Sequence, residues 1–199
     1  MDLQIFLRSR RSVRRFRQQP VPVSMIRNIL TTATYAPSAH NRQPWRFVVI
    51  ADETSKLSLS DAMAINFRRD LEKDNLSEAK ILTRLEKSRT RLISSPIIII
   101  LCMDFSEMDQ YPDTRRAEVE KLMAIQSTAN AGMQLMLAAH AEGLGCVWTC
   151  APLFAPDIVK IALNLSTTWE PQAMFLVGYP AEIPHLRERK SIEEISIFI

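Results

Sequence analysis

Six arginines fall within residues 8–17, RSRRSVRRFR, the one concentration of like charge in a chain whose net charge is only +3. Alternate residues of an extended stretch share a side, so Arg10, Ser12 and Arg14 would direct two guanidinium forks and a hydroxyl one way, with Arg11 adjacent. That set suits a phosphate or a pyrimidine edge. It equally suits a solvated basic surface and, less well, a nucleic-acid arm, since no aromatic platform accompanies the arginines. A second polar stretch, APSAHNRQPWRFVVI over residues 36–50, places Pro37, Ser38, Asn41, Gln43 and Pro44 directly ahead of an apolar run. It reads as an ordinary strand entry, with Asn41 capping the turn, or as a turn arranged for something outside the backbone.

Other chemistries find less support. With four glycines in the whole chain there is no GxGxxG and no P-loop, so a bound phosphate would be held by side-chain cations rather than a glycine-lined cradle. A GxSxG elbow is also missing, which argues against a serine hydrolase. His40, His140 and His185 stand far apart without ligand spacing, and no metal site is expected from them. Cys102, Cys146 and Cys150 are odd in number and lack a CxxC, so reduced thiols and a cytoplasmic protein are expected. The first residues, MDLQIFLRSRR, lack the long apolar stretch of a signal peptide, so none is expected, and no 18-residue apolar run appears in the sequence.

The elements that must position these residues follow from periodicity. DLQIFLRSR predicts a short helix, and SMIRNILTTATYA a second, with Ser24 as its N-cap. WRFVVIA predicts a strand. Residues 55–94 read as helical and heavily charged, with a solvated polar face, and as a possible lid. PIIIILCM, residues 96–103, is a β-branched run suited to a strand buried on both faces. Residues 116–142 form a long helix apolar nearly all round, with Val119, Leu122, Met123, Ala129, Met133, Leu137 and Ala138, ending at Gly143 and Gly145. Such a helix must be enclosed by its own subunit or by a partner. CVWTCAPLF predicts a strand and turn, APDIVKIALNL a helix opened by Pro156 and Asp157, and EPQAMFLVGYP a last strand. The strands lie near 46–51, 96–103, 146–149 and 172–178. The fold class is α+β: one domain over residues 1–199, with helices around a small mixed, mostly antiparallel sheet.

Four stretches in this order, RRSVRRF, APSAHNRQPWRFVV, AEGLGCVW and VGYP followed by RERKSIEEI, resemble the nitroreductase family of flavin enzymes over essentially the whole chain. FRRDLEKDN, the 116–148 region and NLSTTWEPQAMFLVGYP further resemble the flavin-binding C-terminal domain of the ligase that completes the deazaflavin coenzyme, without its ligase half. The resemblance implies an intertwined homodimer with two interfacial FMN sites. It implies that Arg10, Arg11, Ser12 and Arg14 hold the phosphate, ribityl chain and pyrimidine edge, with Arg187 and Arg189 closing on the phosphate. Pro37, Ser38, Ala39 and Asn41 would come from the second subunit, and Ala39 stands where many relatives carry serine. The turn containing Cys150, Ala151, Pro152 and Leu153 would flank the ring. NAD(P)H is the implied hydride donor and a nitroaromatic or quinone the implied acceptor, with no protein nucleophile required. A dedicated reductase of one biosynthetic intermediate, such as a deazaflavin-coenzyme precursor, and a non-enzymatic flavin-binding module are the alternatives. Trp45 and Trp148 read as core rather than stacking partners.

Overall fold

At the centre of the sheet lies β2 (Ile97–Asp104), buried at all of its positions as the apolar run predicts. Its neighbours are β1 (Trp45–Ile50) and β4 (Trp169–Gly178), and β3 (Gly145–Thr149) forms the far edge, in the order β1-β2-β4-β3. All three pairings are antiparallel. The expected mixed character survives only outside the named strands, where Ser12 makes a single parallel bridge to Cys146. These descriptions come from a computed structural model and cover residues 2–182, 184–185 and 187–199.

Strand alternation explains why so apolar a strand is needed in an antiparallel sheet. Ile97, Ile99 and Leu101 face one side, into a core shared with Ile26, Ile29, Ala33, Ala131 and Leu135. Those partners belong to α2 (Val23–Ala33) and α5 (Thr114–Ala141). Ile98, Ile100 and Cys102 face the other side, against Leu59, Leu92 and Val159. These come from α3 (Glu53–Lys73), α4 (Glu78–Ile93) and α6 (Pro156–Ala162). Helices therefore cover both faces, and successive residues of β2 have no solvent side to point to. The remaining helices are α1 (Leu3–Ser9) and α7 (Ile192–Ile195).

Several details depart from expectation. Pro22, not Ser24, occupies the N-cap of α2, so Ser24 lies within the first turn. The charged region is two helices, because Asn75 takes a left-handed conformation (φ 55°) and Ser77 caps a new start. In α5 the sheet-facing side is built largely from small or polar residues, including Ala124, Ser127, Thr128, Ala131 and Gly132. The larger Val119, Leu122 and Met133, 51%, 53% and 42% exposed, lie on the outside. Close helix–sheet approach selects small side chains, which hydropathy alone does not reveal. Gly143, at φ 74°, ends this helix in the left-handed region where glycine carries no Cβ penalty.

Candidate functional site

The arginine-rich segment is fixed to the sheet from both ends. Val13 N–H donates to the Cys146 carbonyl at 3.1 Å, Arg17 N–H to Tyr179 at 2.9 Å, and Ala181 N–H to Arg15 at 3.0 Å. Val13 and Phe16 bury their side chains beneath it, 5% and 9% exposed. Gly145 makes this seat possible: a Cβ there would lie 2.6 Å from the Cβ of Val13. Two isolated bridges, Ser12 to Cys146 and Phe16 to Pro180, together with the buried Val13 and Phe16 side chains, thus anchor the segment.

What stands out on that backbone is charge without a counter-charge. Arg15, Arg42, Arg46, Arg68, Arg89 and Arg116 each pair with a carboxylate. Arg10, Arg11 and Arg14 enter no ion pair among the described residues, although Arg10 and Arg11 are half-buried. Arg11 Nη1 donates to the carbonyls of Arg8 and Arg10 at 2.5 and 2.8 Å, while its buried Nε has no partner. Arg14 Nη1 donates to the Ser12 carbonyl at 3.3 Å. Half-buried cations without compensation, one with an orphaned donor, form an environment that an anion would satisfy.

His140, near the end of α5, borders this group. Its Nε2 lies 2.8 Å from Ser9 Oγ and its ring stacks on Phe6 at 5.0 Å, tying α1 to α5. Burial pushes the imidazole below its ordinary range, and the positive charges of Arg10 and Arg11 push the same way. Neither Ser9 nor His140 was singled out from sequence, because the residues joining them lie at opposite ends of the chain.

The turn at residues 37–43 is held against α5. Asn130 Nδ2 donates to the Pro37 carbonyl at 3.2 Å, and Ala39 N–H donates to Ser127 Oγ at 3.0 Å. Ser38 Oγ accepts from Gln43 N–H at 3.1 Å, so Ser38, rather than Asn41, caps the turn. The Asn41 side chain is exposed and makes no hydrogen bond among the described residues. His40, Asn41 and Gln43 all have positive φ, at 51°, 53° and 51°. Non-glycine residues in that region are uncommon and mark a backbone held by its surroundings. Ser127 and Asn130 were the missed supports; polar residues within an otherwise apolar helix were the available signal.

Cys150 through Leu153 follow β3 in a 3-10 turn, Ala151–Phe154, whose end is pinned by Asn66 Nδ2 donating to the Phe154 carbonyl at 2.9 Å. Beside it opens a cavity of about 560 Å³ whose apolar lining includes Met63, Phe67, Leu71, Leu92, Ala151 and Phe154. The segment 55–94 thus does shape a cavity next to the predicted ring-flanking turn. Burial pushes the thiols of Cys102 and Cys146 up to about 12, so neither is a nucleophile at neutral pH.

Arg187 and Arg189 are exposed on the C-terminal stretch, and no hydrogen bond or ion pair joins them to residues 10–14 among the described residues. Trp45 is buried in the core. Trp148 packs edge-on against Phe175 at 4.9 Å and donates through Nε1 to Cys150 Sγ at 3.3 Å. No helix among the described residues is long and apolar enough to cross a membrane.

Comparison with known proteins adds to this geometry. Residues 7–179 match the model of the nitroreductase family. An NADH dehydrogenase of Thermus thermophilus is 26% identical over 222 residues, spanning 100% of this chain and 96% of its own. A 5,6-dimethylbenzimidazole synthase of Rhodospirillum rubrum is 31% identical over 188 residues, spanning 89% and 82%. A structure from Desulfovibrio desulfuricans in complex with FMN superposes with a TM-score of 0.74 at 24% identity, covering 100% and 98% of the two chains.

Proposed function

The chain belongs to the nitroreductase family, and from that premise we propose that it is an FMN-dependent oxidoreductase passing hydride from NAD(P)H to a nitroaromatic, quinone or similar acceptor. The observation that carries this reading is the set of uncompensated cations Arg10, Arg11 and Arg14 with the orphaned Arg11 Nε. FMN has one dianionic phosphate and a pyrimidine edge rich in acceptors, which matches that donor set. When bound, it would supply the hydride chemistry, and the residues of this chain would bind, orient and shield it.

The division of labour follows the geometry. Arg10, Arg11 and Arg14, with Ser12, would hold the phosphate, ribityl chain and pyrimidine edge, where their charge favours negative charge on the ring. Arg187 and Arg189 would approach the phosphate from the C-terminal side. Cys150, Ala151, Pro152 and Leu153 would lie along the ring edge, beside the apolar cavity under α3 and α4. Donor and acceptor would use that space in turn, a ping-pong arrangement that a mostly apolar cavity tolerates for many flat acceptors.

The site requires two copies of the chain. Val119, Leu122, Ile125 and Met133 run along the outside of α5, all at least 36% exposed, and Leu3, Ile5 and Leu7 of α1 are exposed too. Exposed apolar side chains in that number favour being covered. A homodimer would cover them and bring Pro37, Ser38, Ala39 and Asn41 of one chain to the flavin held by Arg10 and Arg14 of the other.

A second reading, an enzyme dedicated to one biosynthetic intermediate such as a deazaflavin-coenzyme precursor, is favoured by the ligase-domain resemblance and by a synthase among the relatives. The absorption spectrum of the purified protein, followed by steady-state NADH and NADPH oxidation with quinone and nitroaromatic acceptors, tests the first reading. Flavin bands with rapid turnover support it. Flavin bands without turnover of any such acceptor leave the dedicated enzyme, and a protein that takes up no FMN overturns both.

A further inference from the structure

Three residues from separate parts of the chain meet beneath the 37–43 turn. Ligand atoms of His40, Asp109 and Glu120 all lie within 4.8 Å of one another. We propose that they form a binding site for one divalent transition-metal ion of the zinc class, clamping the turn to α5.

Burial gives the first argument. Glu120 is 1% exposed, yet it enters no ion pair among the described residues, and its recorded hydrogen bond is the Asp109 N–H to Oε1 at 3.3 Å. A carboxylate withdrawn from water needs a compensating cation or a proton. Arg42, the neighbouring cation, spends its guanidinium on Asp109 Oδ1, which leaves the second oxygen of that carboxylate available.

Donor chemistry gives the second. One imidazole and two carboxylates match the nitrogen and oxygen donors that zinc accepts at about 2.0–2.2 Å. Magnesium and calcium prefer oxygen-only sets. Ligand atoms on one tetrahedral ion sit about 3–4 Å apart, so carboxylate rotation within the observed spacing closes the shell. Exposure of His40 leaves the fourth position to water.

Preorganisation gives the third. The left-handed backbone of His40 (φ 51°, ψ 21°) is held by Ala39 N–H on Ser127, which lies two helical turns along α5 from Glu120. Asp109 is tied to Glu120 through its own amide. Met103, Met108 and Ala124 pack into an apolar cluster, joined by Ala39, so the residues bracketing the three ligands belong to one buried group.

The test uses the FMN-loaded protein, treated with chelator, dialysed and titrated with zinc sulfate by calorimetry, with bound metal counted by elemental analysis. One zinc per chain is expected, with magnesium failing to compete. His40→Ala, an exposed change that leaves the core untouched, should weaken zinc binding at least tenfold, and Asp109→Asn should do likewise. His185→Ala should leave it unchanged. Far-ultraviolet dichroism and flavin absorbance verify folding of each variant. Failure to take up zinc, or equal affinity in His40→Ala, overturns the proposal. So does a His40→Ala variant that loses stability in a wild-type protein that binds no metal, which assigns the cluster to an ion pair. Because zinc uptake is read apart from turnover, this outcome is independent of the acceptor chemistry proposed above.

Discussion

Arg68 and Arg89, on α3 and α4, differ from Arg10, Arg11 and Arg14 in what neutralises them. Arg68 reaches both Glu72 and Glu78, and Arg89 reaches Asp61, all on a solvated surface. The hydrogen bonds that the Arg68 guanidinium donates to Glu78 hold it above its ordinary value. Arg10 and Arg11 are half-buried and pair with no carboxylate among the described residues. Self-contained ion pairs hold two helices side by side and contribute little individually. Cations left open in a partly buried place are more costly to the free protein and valuable once an anion arrives. A missing counter-charge together with partial burial is what sets Arg10 and Arg11 apart from Arg68 and Arg89.

The largest effect expected from this contrast is on cofactor affinity. Arg10→Ala combined with Arg14→Ala should weaken FMN roughly a hundredfold or more, taking about 1.5–3 kcal/mol for each charge-assisted contact. Arg68→Ala combined with Arg89→Ala should leave it unchanged. Fluorescence titration of the apoproteins reads both, and equal losses in the two pairs would erase the distinction.

Next in size is Gly145→Ala. Its methyl meets Val13 at 2.6 Å, so the arginine segment must shift. A loss of about 1–3 kcal/mol in unfolding free energy is expected from overpacking, along with weaker FMN binding, both measurable on one preparation by urea denaturation and titration. Unchanged flavin affinity in a destabilised variant would show that the seat of Val13 does not set the arginine geometry.

Subunit exchange sharpens the model further. Mixing inactive Asn41→Ala with inactive Arg14→Ala should regenerate one intact site per heterodimer, and part of the NADH turnover should return. Gel filtration first establishes that each variant dimerises. Activity that never recovers would place both residues at a site within one chain.

The smallest effect is electrostatic. His140 lies below its ordinary value of 6.5, by burial first and then by Arg10 and Arg11. The unfolded chain therefore binds more protons than the folded one between the lowered value and 6.5, and stability rises with pH across that window. An anion on the arginines relieves part of the repulsion. The NMR titration midpoint of His140 should move up when FMN is added, and an unmoved midpoint would separate the imidazole from the phosphate.

Much of the fold was legible because burial on both faces leaves a plain mark. The run at 96–103 could only be a central strand, and the length and glycine end of α5 were equally clear. Which side of α5 faces the sheet was not, because small residues are selected by proximity and large ones by whatever covers the outside. Arg10, Ser12 and Arg14 stood out through spacing, and Arg10 and Arg14 enter no ion pair among the described residues. Ser127, Asn130 and the meeting of His40 with Asp109 and Glu120 did not stand out, since each joins segments whose separation along the chain carries no periodic signal.

The bridges from Ser12 to Cys146 and from Phe16 to Pro180 carry a consequence for biosynthesis. The arginines are made well before residues 146 and 180, so the backbone that aims them is completed only once those later residues have emerged. Long-range pairings of this kind close late. Until then a nascent chain has nothing arranged to grasp flavin, and loading follows the closing of these bridges. A cell short of FMN would accumulate a finished but empty protein rather than one stalled half-folded.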